Sequence, residues 1–437
     1  MKTSELFDEL LQNLKVGGKN TIVATRRDEI AKALNREFRG KDSVTDNQLM
    51  VGSYGRHTAI HAVSDLDMIF ILPGSLREAY ADENGPRRIL NRVRDALSAR
   101  YPTTEVRVDQ CVVRVQFISN AFKFEVQPAF ENDDSTFDYP DTVAKAWKCT
   151  KPREEIAAVK NCNDRTNRNM RHLARMIRAW KNHNGAPMGG LLIDTLVHRF
   201  FSTTTDYDAT TTDTFDEMTR DFFEFLKDEP EKDFYLALGS QQRVKVKGKF
   251  QSKAHKAYNR CVEAIGAGET AAAAKKWREV FGKAAPLTLT KSLAASDSFT
   301  LTSSTEEFIE DVYPVDISAS VSIDCEVTQD GWRTTRLLAL LTSRQPLLAS
   351  KDLRFFVTSC DVPKPYELKW KVLNRGPEAV SRHCIRGQII DSSRPGERRE
   401  HTVFRGDHVV ECFVLEGGIV VARDRIDVPI ATTQPDS

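Results

Sequence analysis

The sequence predicts an α+β part followed by an all-β module, and three observations carry that expectation. The first is the run Val51 to Pro73, in which a glycine-containing turn and a short helical stretch lead into an apolar strand that carries Asp65 and Asp67. The second is the mixture of helical periodicity and β-branched alternation up to Phe281. The third is a change of texture: the Ala/Ser/Thr/Leu-rich stretch Ala284 to Ser304 reads as a linker, and beyond it short strands alternate with turn signals. At 437 residues the chain has room for two or three domains.

Bulk properties narrow the class. A net charge of +1 gives no global signal for a polyanion, and 40% hydrophobic residues is ordinary for a globular protein. The first residues carry acids and lack an apolar core, so no secretion signal is expected, and no run approaches a membrane span. The eight cysteines are scattered without a CxxC pair, which points to reduced thiols in a cytoplasmic protein and away from a zinc cage.

Along the chain, residues 4–38 read as helix, with Leu6, Leu10, Leu11 and Leu14 at helical spacing and a restart after Gly17-Gly18. Arg77 to Arg100 reads as two helices separated at Asn84-Gly85-Pro86. Glu105 to Phe117 and Phe122 to Val126 read as strands, the second closed by Pro128. Asn161 to Phe201 and Ala254 to Phe281 are helical, with a break at Gly185–Gly190 in the first and Trp277 and Phe281 as anchors of the second. In the last part, Tyr366 to Leu373 alternates apolar and charged residues, and Glu416-Gly-Gly closes a hairpin. These readings divide the chain into a core (1–160), a helical lobe (161–284), a linker (285–306) and a β-sandwich (307–437).

The chemistry centres on Val51 to Pro73. Gly52 and Ser53 put backbone N–H groups at a helix start, where unpaired donors and the helix dipole favour phosphate. Asp65 and Asp67, two apart on a strand, point to one face and suit a hard divalent cation. Two-metal transfer needs a third carboxylate on a neighbouring strand. Glu125, on the polar face of its strand, and Asp109 are the candidates; alternation favours Glu125, and either also fits a solvated position. Arg168, Arg171, Arg175 and Arg178 fall on one helix face, and no acid occurs between Asp164 and Asp194. That face suits a triphosphate, with Arg178 and Lys181 foremost, and equally describes a solvated stripe. Arg56 and Ser240, the latter opening the basic run to Phe250, are further candidates for nucleotide contact. The β module holds no compact carboxylate or Cys/His cluster and reads as a recognition module, with Arg375, Arg405, Asp407 and Arg423 as candidate ligand contacts. Arg423-Asp-Arg reads more readily as a structural ion-pair cluster.

Gly52-Ser-Tyr-Gly-Arg-His-Thr-Ala-Ile60, Ser64-Asp-Leu-Asp67 and Phe124-Glu-Val-Gln-Pro-Ala129 resemble the motifs of the polymerase-β-like nucleotidyltransferases, and within them the bacterial cGAS/DncV-like enzymes (CD-NTases). Leu173 to Trp180 is similar to the helix that bears a triphosphate-contacting lysine in oligoadenylate synthetases, with Arg178 in that place; the third carboxylate, commonly Asp in the group, is Glu125. Phe308 to Ile317, Leu353 to Thr358, Asp361 to Tyr366, Trp370 to Gly376, Phe404 to His408 and Val421 to Pro429 resemble the adenylyl/guanylyl-and-SMODS C-terminal sensor domain.

The resemblance implies a polymerase-β-like palm with a helical second lobe that completes the nucleotide cleft. It further implies a cyclic-oligonucleotide synthase of anti-phage (CBASS-type) signalling. Asp65, Asp67 and Glu125 would hold two Mg²⁺ ions, with Mn²⁺ as an alternative. The implied partners are NTP substrates (ATP foremost), a nucleotide at the sensor domain, an effector reached through the product and a regulatory protein, with no membrane. A nucleotidyltransferase toxin that modifies tRNA or protein, a linear oligoadenylate synthase and a catalytically dead binding module are the alternatives that the same residues leave open.

Overall fold

The computed structural model describes residues 1–16, 20–61, 65–117, 122–287, 307–328, 334–343, 345, 347–374, 377–381, 386–402 and 406–431. It separates into two compact units. The first comprises Met1–Trp180, Gly189–Val246 and Phe250–Thr288; the second comprises Lys181–Met188, Lys247–Lys249 and Leu289–Ser437.

The first unit opens with α1 (Thr3–Leu14) and α2 (Asn20–Arg39), then β1 (Gln48–Met50), the single-turn α3 (Gly52–Gly55) and β2 (Asp65–Ile71). Helix α4 (Gly85–Arg100) follows, preceded by short 3₁₀ turns where the sequence suggests a helix. Strands β3 (Glu105–Asp109), β4 (Val112–Phe117), β5 (Phe122–Glu131), β6 (Phe137–Asp141) and β7 (Ala146–Thr150) complete the sheet. Its order is β1-β2-β5-β4-β3, with β6 and β7 continuing from β5. Only the β2–β5 pairing is parallel among these ladders; the others are antiparallel.

Strand alternation sorts the sheet into two faces. Leu66, Met68 and Phe70 of β2, Phe124 and Val126 of β5, and Val113 and Val115 of β4 join one core with Ile30 and Leu34 of α2 and Leu90, Val93 and Leu97 of α4. Each such fully buried large apolar side chain contributes about 1.5–3 kcal/mol. The residues between them, Asp65, Asp67, Lys123, Glu125 and Arg114, share the opposite face. The sequence ends this strand at Pro128, but β5 runs on to Glu131. Pro128 pairs with Phe70 of β2, whereas the β4 ladder stops at Val113 opposite Val126. A residue without an N–H is tolerated where a strand lacks a second partner.

The helical part is more finely divided than the periodicity suggests. Helices α5 (Pro152–Arg165) and α6 (Asn169–Asn184) are separated by Asn167 and Arg168, both at positive φ. Helix α7 (Gly190–Thr203), α8 (Phe215–Asp228) and the hairpin β8 (Phe234–Leu236) and β9 (Arg243–Lys245) come next. Gly268, at φ 62°, parts α9 (Gln251–Gly266) from α10 (Ala271–Phe281), whose first turn is capped by the Thr270 hydroxyl accepting from Ala273 N–H. Trp277 lies edge-on to Phe7 of α1, 5.1 Å between centroids, and Phe281 packs on the same ring.

The second unit is a sandwich. After α11 (Ile309–Val312), β10 (Val321–Thr328), β11 (Thr335–Arg336), α12 (Leu337–Thr342), β12 (Leu347–Leu348), β13 (Asp352–Cys360), β14 (Glu367–Leu373), α13 (Pro377–Ser381), β15 (Ile389–Asp391), β16 (Glu397–His401), β17 (Gly406–Glu416) and β18 (Ile419–Ala431) form two sheets. Their orders are β11-β10-β13-β16 and β12-β18-β17-β14-β15. Cys325 and Phe355 from one sheet meet Trp370, Cys412 and Ile426 from the other in a shared core. Strand β16, Glu-Arg-Arg-Glu-His, carries no apolar residue and gives no strand signal in the sequence. Lys371, on the charged side of the β14 alternation, is buried 3.7 Å from Glu411. Arg423 is likewise buried, with Nη2 donating to Glu411 at 2.6 Å and Nη1 to Glu310 at 3.1 Å. Burial alone would raise Glu411, but Arg423 and Lys371 overcome it and hold the carboxyl at about 2. Arg375, Arg405 and the Asp407 side chain lie outside the described residues, as does the linker from 288 to 306.

Among the described residues no helix is long and apolar enough to cross a membrane. The described cysteines are free thiols.

Candidate active site

Two backbone facts assemble the site. First, the parallel register of β2 and β5 sets Asp65 beside Lys123 and Asp67 beside Glu125. Asp65, Asp67 and Glu125 therefore stand on one face of adjacent strands. Asp109 lies on β3, at the far edge of the β2-β5-β4-β3 order, and pairs with Arg114 at 2.7 Å. Second, the turn before α3 lies against that face. Val51 N–H donates to the Asp67 carbonyl at 2.9 Å. Gly52 takes φ +59°, and a Cβ on it would stand 1.8 Å from Asp67 Oδ2. Only glycine meets both demands, the left-handed φ and the missing side chain. Gly52 and Ser53 open a turn whose first N–H groups have no intrahelical acceptor by construction.

The carboxylates sit among cations. Lys123 Nζ is 3.3 Å from both Asp65 Oδ1 and Glu125 Oε1. Arg114 donates from Nε to the same Glu125 oxygen at 3.0 Å and bridges it to Asp109. Lys123, on the polar side of the β5 alternation, is only 13% exposed. Its position two residues before Glu125 is the signal that could have found it.

Hard carboxylate oxygens on a rigid sheet suit a divalent cation such as Mg²⁺. The Gly52 cradle, which presses backbone onto Asp67, supports the same fit. As the side chains stand, no three ligating groups among the described residues are gathered about one point. Glu125 is engaged by Lys123 and Arg114.

The cations expected at a triphosphate are placed differently. Arg178 is buried and donates through Nη1 and Nη2 to both oxygens of Asp194, at 2.7 and 2.9 Å. Arg56 is also buried, with Nε donating to Asp194 at 2.8 Å and Nη1 to Glu155 at 3.2 Å. Ser240 donates to the other Glu155 oxygen at 3.1 Å. Burial raises Glu155 above the ordinary carboxyl range, whereas at Asp194 burial is overcome by Arg178 and Arg56, which hold it low. Within the second unit, Lys181 donates to Asp316 at 2.6 Å and to the Ile317 carbonyl at 2.7 Å. Phosphate contact by Arg178, Arg56 or Ser240 would require a buried or nearly buried carboxylate to be given up, and Lys181 would leave the half-exposed Asp316 and the buried Ile317 carbonyl.

Two members of the arginine stripe do reach the motif, from behind. Arg171 Nε donates to the Arg56 carbonyl at 3.2 Å and Arg175 Nη2 to the His57 carbonyl at 2.9 Å. They hold the chain that leaves the Gly52–Gly55 turn. Burial, then the like charges of Arg171 and Arg178, pulls Arg175 below its ordinary value.

Comparisons with known proteins give the following likenesses. Residues 1–163 match the family model of the Second Messenger Oligonucleotide or Dinucleotide Synthetase domain. Residues 303–431 match that of the Adenylyl/Guanylyl and SMODS C-terminal sensor domain. A probable cyclic nucleotide synthase of Bacillus cereus is 22% identical over 206 residues, 40% of this chain and 60% of that protein. The chain thus spans less than two thirds of that relative's length. Among solved structures, Escherichia coli CdnC in its complex with HORMA is similar at TM-score 0.50 and 15% identity, over 65% of this chain and 98% of that one. Vibrio cholerae DncV, a cyclic AMP-GMP synthase, gives TM-score 0.44 at 14% identity, over 65% and 87%.

Proposed function

Because this chain belongs to the bacterial cGAS/DncV-like nucleotidyltransferases, with a SMODS synthetase domain at 1–163 and a C-terminal sensor domain at 303–431, we propose that it joins nucleoside triphosphates into a cyclic oligonucleotide signal. The observation that carries the reading is the β2–β5 register, which sets Glu125 beside Asp67 on the face that Gly52 leaves open.

Asp65, Asp67 and Glu125 are the residues that would hold divalent cations. Such cations, when bound, supply neutralisation of phosphate charge and acidification of an acceptor hydroxyl. The protein supplies placement. Gly52 and Ser53 offer backbone N–H groups to the donor triphosphate. Asp65 and Asp67 are fixed by strand geometry on the face that the phosphates would approach. Arg171 and Arg175 hold the loop after the turn, so the cradle keeps its shape. Transfer breaks the bond between the α- and β-phosphates, forms a phosphodiester to the acceptor ribose oxygen and releases pyrophosphate. A second attack, by the free hydroxyl of the linear product on its own 5′ triphosphate, closes the ring. ATP is the first substrate to test, and the sensor domain is the place for a regulatory nucleotide. The pairing of synthetase and sensor fits an anti-phage signalling system.

The deciding experiment incubates the full chain with all four NTPs and Mg²⁺ and resolves products by mass spectrometry after phosphatase. A phosphatase-resistant small product, lost in Asp65→Asn with the fold intact by circular dichroism, is the expected result. Label transferred to tRNA or protein, or a linear phosphatase-sensitive oligomer, overturns cyclisation. An Asp65→Asn protein that still releases pyrophosphate at the wild-type rate overturns the site itself.

A further inference from the structure

We infer that Lys123 is a resident counter-cation of the carboxylate cluster, which a divalent cation must displace from Glu125 before the three acids can ligate it together. This deepens the proposed nucleotidyl-transfer site and rests on it.

The geometry is specific. Lys123 and Glu125 are two apart on β5, so their side chains leave the same face, and the β2–β5 register puts Asp65 directly opposite Lys123. The ammonium stands at 3.3 Å from one oxygen of each acid, which places it between the two strands. The lysine is anchored at one end only. Its flexible four-carbon stem lets the ammonium withdraw at little cost, unlike a planar guanidinium in a two-pronged pair. Arg114, by contrast, holds both Glu125 and Asp109. The side chains are only partly covered: Asp65 is 30% exposed and Glu125 18%, although Asp65 Oδ1, the oxygen beside Lys123, is itself closed to solvent. An incoming ion can therefore reach them, while charge interactions there remain stronger than at an open surface.

Three like charges crowded on one face repel, and the cluster needs positive charge even without a metal. Lys123 supplies it. The same ammonium then opposes a divalent cation, both by occupying Glu125 and by repulsion. Lys123 thereby sets the metal concentration at which the site fills. Without metal it keeps the acids in register; with metal it gives way.

The test reads metal binding directly. Free Mn²⁺ is followed by electron paramagnetic resonance as the full chain is titrated without nucleotide, for the native protein, Lys123→Met, Lys123→Arg and Asp67→Asn. Lys123→Met keeps the length and the apolar stem and removes the charge. It is expected to bind Mn²⁺ at least about tenfold more tightly, the scale that one nearby unit charge has even under nearly water-like screening. Lys123→Arg, which keeps the charge on a fork that yields less readily, is expected to bind Mn²⁺ no more tightly than the native protein. Unchanged or weaker binding by Lys123→Met, with native circular dichroism, overturns the inference. So does tightening in Lys123→Arg equal to that in Lys123→Met, because charge would then not be the cause. Asp67→Asn separates the levels. If it binds Mn²⁺ as the native protein does, the metal site is wrongly placed and the underlying reading fails. If it loses Mn²⁺ while Lys123→Met binds natively, the site stands and only the role of Lys123 falls.

Discussion

Asp194 and Asp65 are both aspartates beside cations in the same unit, and they are opposite in design. Asp194 is fully buried and accepts from Arg178, Arg56 and the Thr58 hydroxyl, so both oxygens have charged donors. Asp65 is 30% exposed and shares a lysine ammonium with Glu125 at a looser 3.3 Å. The first cluster is closed: breaking any pair strands a charge away from water. The second is exchangeable at Lys123, whose ammonium sits on a flexible stem between partly exposed acids, while Arg114 keeps its hold on Glu125. A catalytic carboxylate has to trade partners during turnover, and a structural one must not. Burial and tightness of partnering separate the two roles where residue type cannot.

The strongest way to break this contrast is Asp194→Asn. The variant keeps the shape and leaves Arg56 and Arg178 without the carboxylate charge. Removing one partner of a buried pair costs about 3–5 kcal/mol. The expected result is a large fall in the denaturant midpoint at pH 7. The same change at Asp65 should cost less than about 1 kcal/mol, the scale for partly exposed pairs, with a correspondingly small fall in the midpoint. Equal losses at the two positions would dissolve the comparison.

How far the sequence reaches follows the same line. The face shared by Asp65, Asp67 and Glu125 is legible because side chains in a strand alternate with period two, and the apolar residues between them mark the core side. The sandwich is legible for the same reason, apart from β16, where no apolar residue marks a face. The fate of Arg178 is not legible. Its partner Asp194 lies 16 residues away on another helix, beyond the break at Gly185–Gly190, and only tertiary packing brings them together. An acid-free stretch of sequence therefore suggests unpaired arginines that the fold pairs elsewhere. Lys123 is hidden for a related reason: a lysine in an alternating strand reads as solvated until the neighbouring strand puts an aspartate opposite it. Local periodicity shows which face a residue takes, and long-range pairing decides what it meets there.

A smaller effect sharpens the exchangeable side. Gly52→Ala introduces a methyl 1.8 Å from Asp67 Oδ2 at a φ of +59°. Gly40, at φ +64° with nothing within 4 Å of a built Cβ, serves as the control for backbone strain alone. Gly40→Ala should cost about 1 kcal/mol in urea unfolding. Gly52→Ala should cost more, and should also weaken Mn²⁺ binding by about tenfold or more, because the Asp67 carboxylate or the turn must move. If the two alanines behave alike in both measurements, the close approach of turn and carboxylate has no functional weight.

The smallest effect concerns a cation that the fold keeps uncharged. His172 lies on α6 beside the motif-supporting arginines, and its pKa is pushed down to about 4, first by burial and then by Arg175, Arg168 and Lys15, with Asp8 opposing. An unfolded histidine titrates near 6.5. Between those values the unfolded chain takes up a proton that the folded chain refuses. The contribution of His172 to stability is therefore complete above about pH 6.5 and declines as the pH falls towards 4. Its partial exposure reduces the effect to the order of 1 kcal/mol at pH 5. His172→Gln, which stays neutral throughout, should lose less stability between pH 7 and pH 5 than the native protein, and that difference isolates the histidine from every carboxylate common to both. A native protein and variant with parallel pH profiles would mean that His172 accepts its proton in place. The arginine face would then be as open to exchange as the carboxylate site, and the distinction between a closed support and an exchangeable centre would have to be drawn elsewhere in this unit.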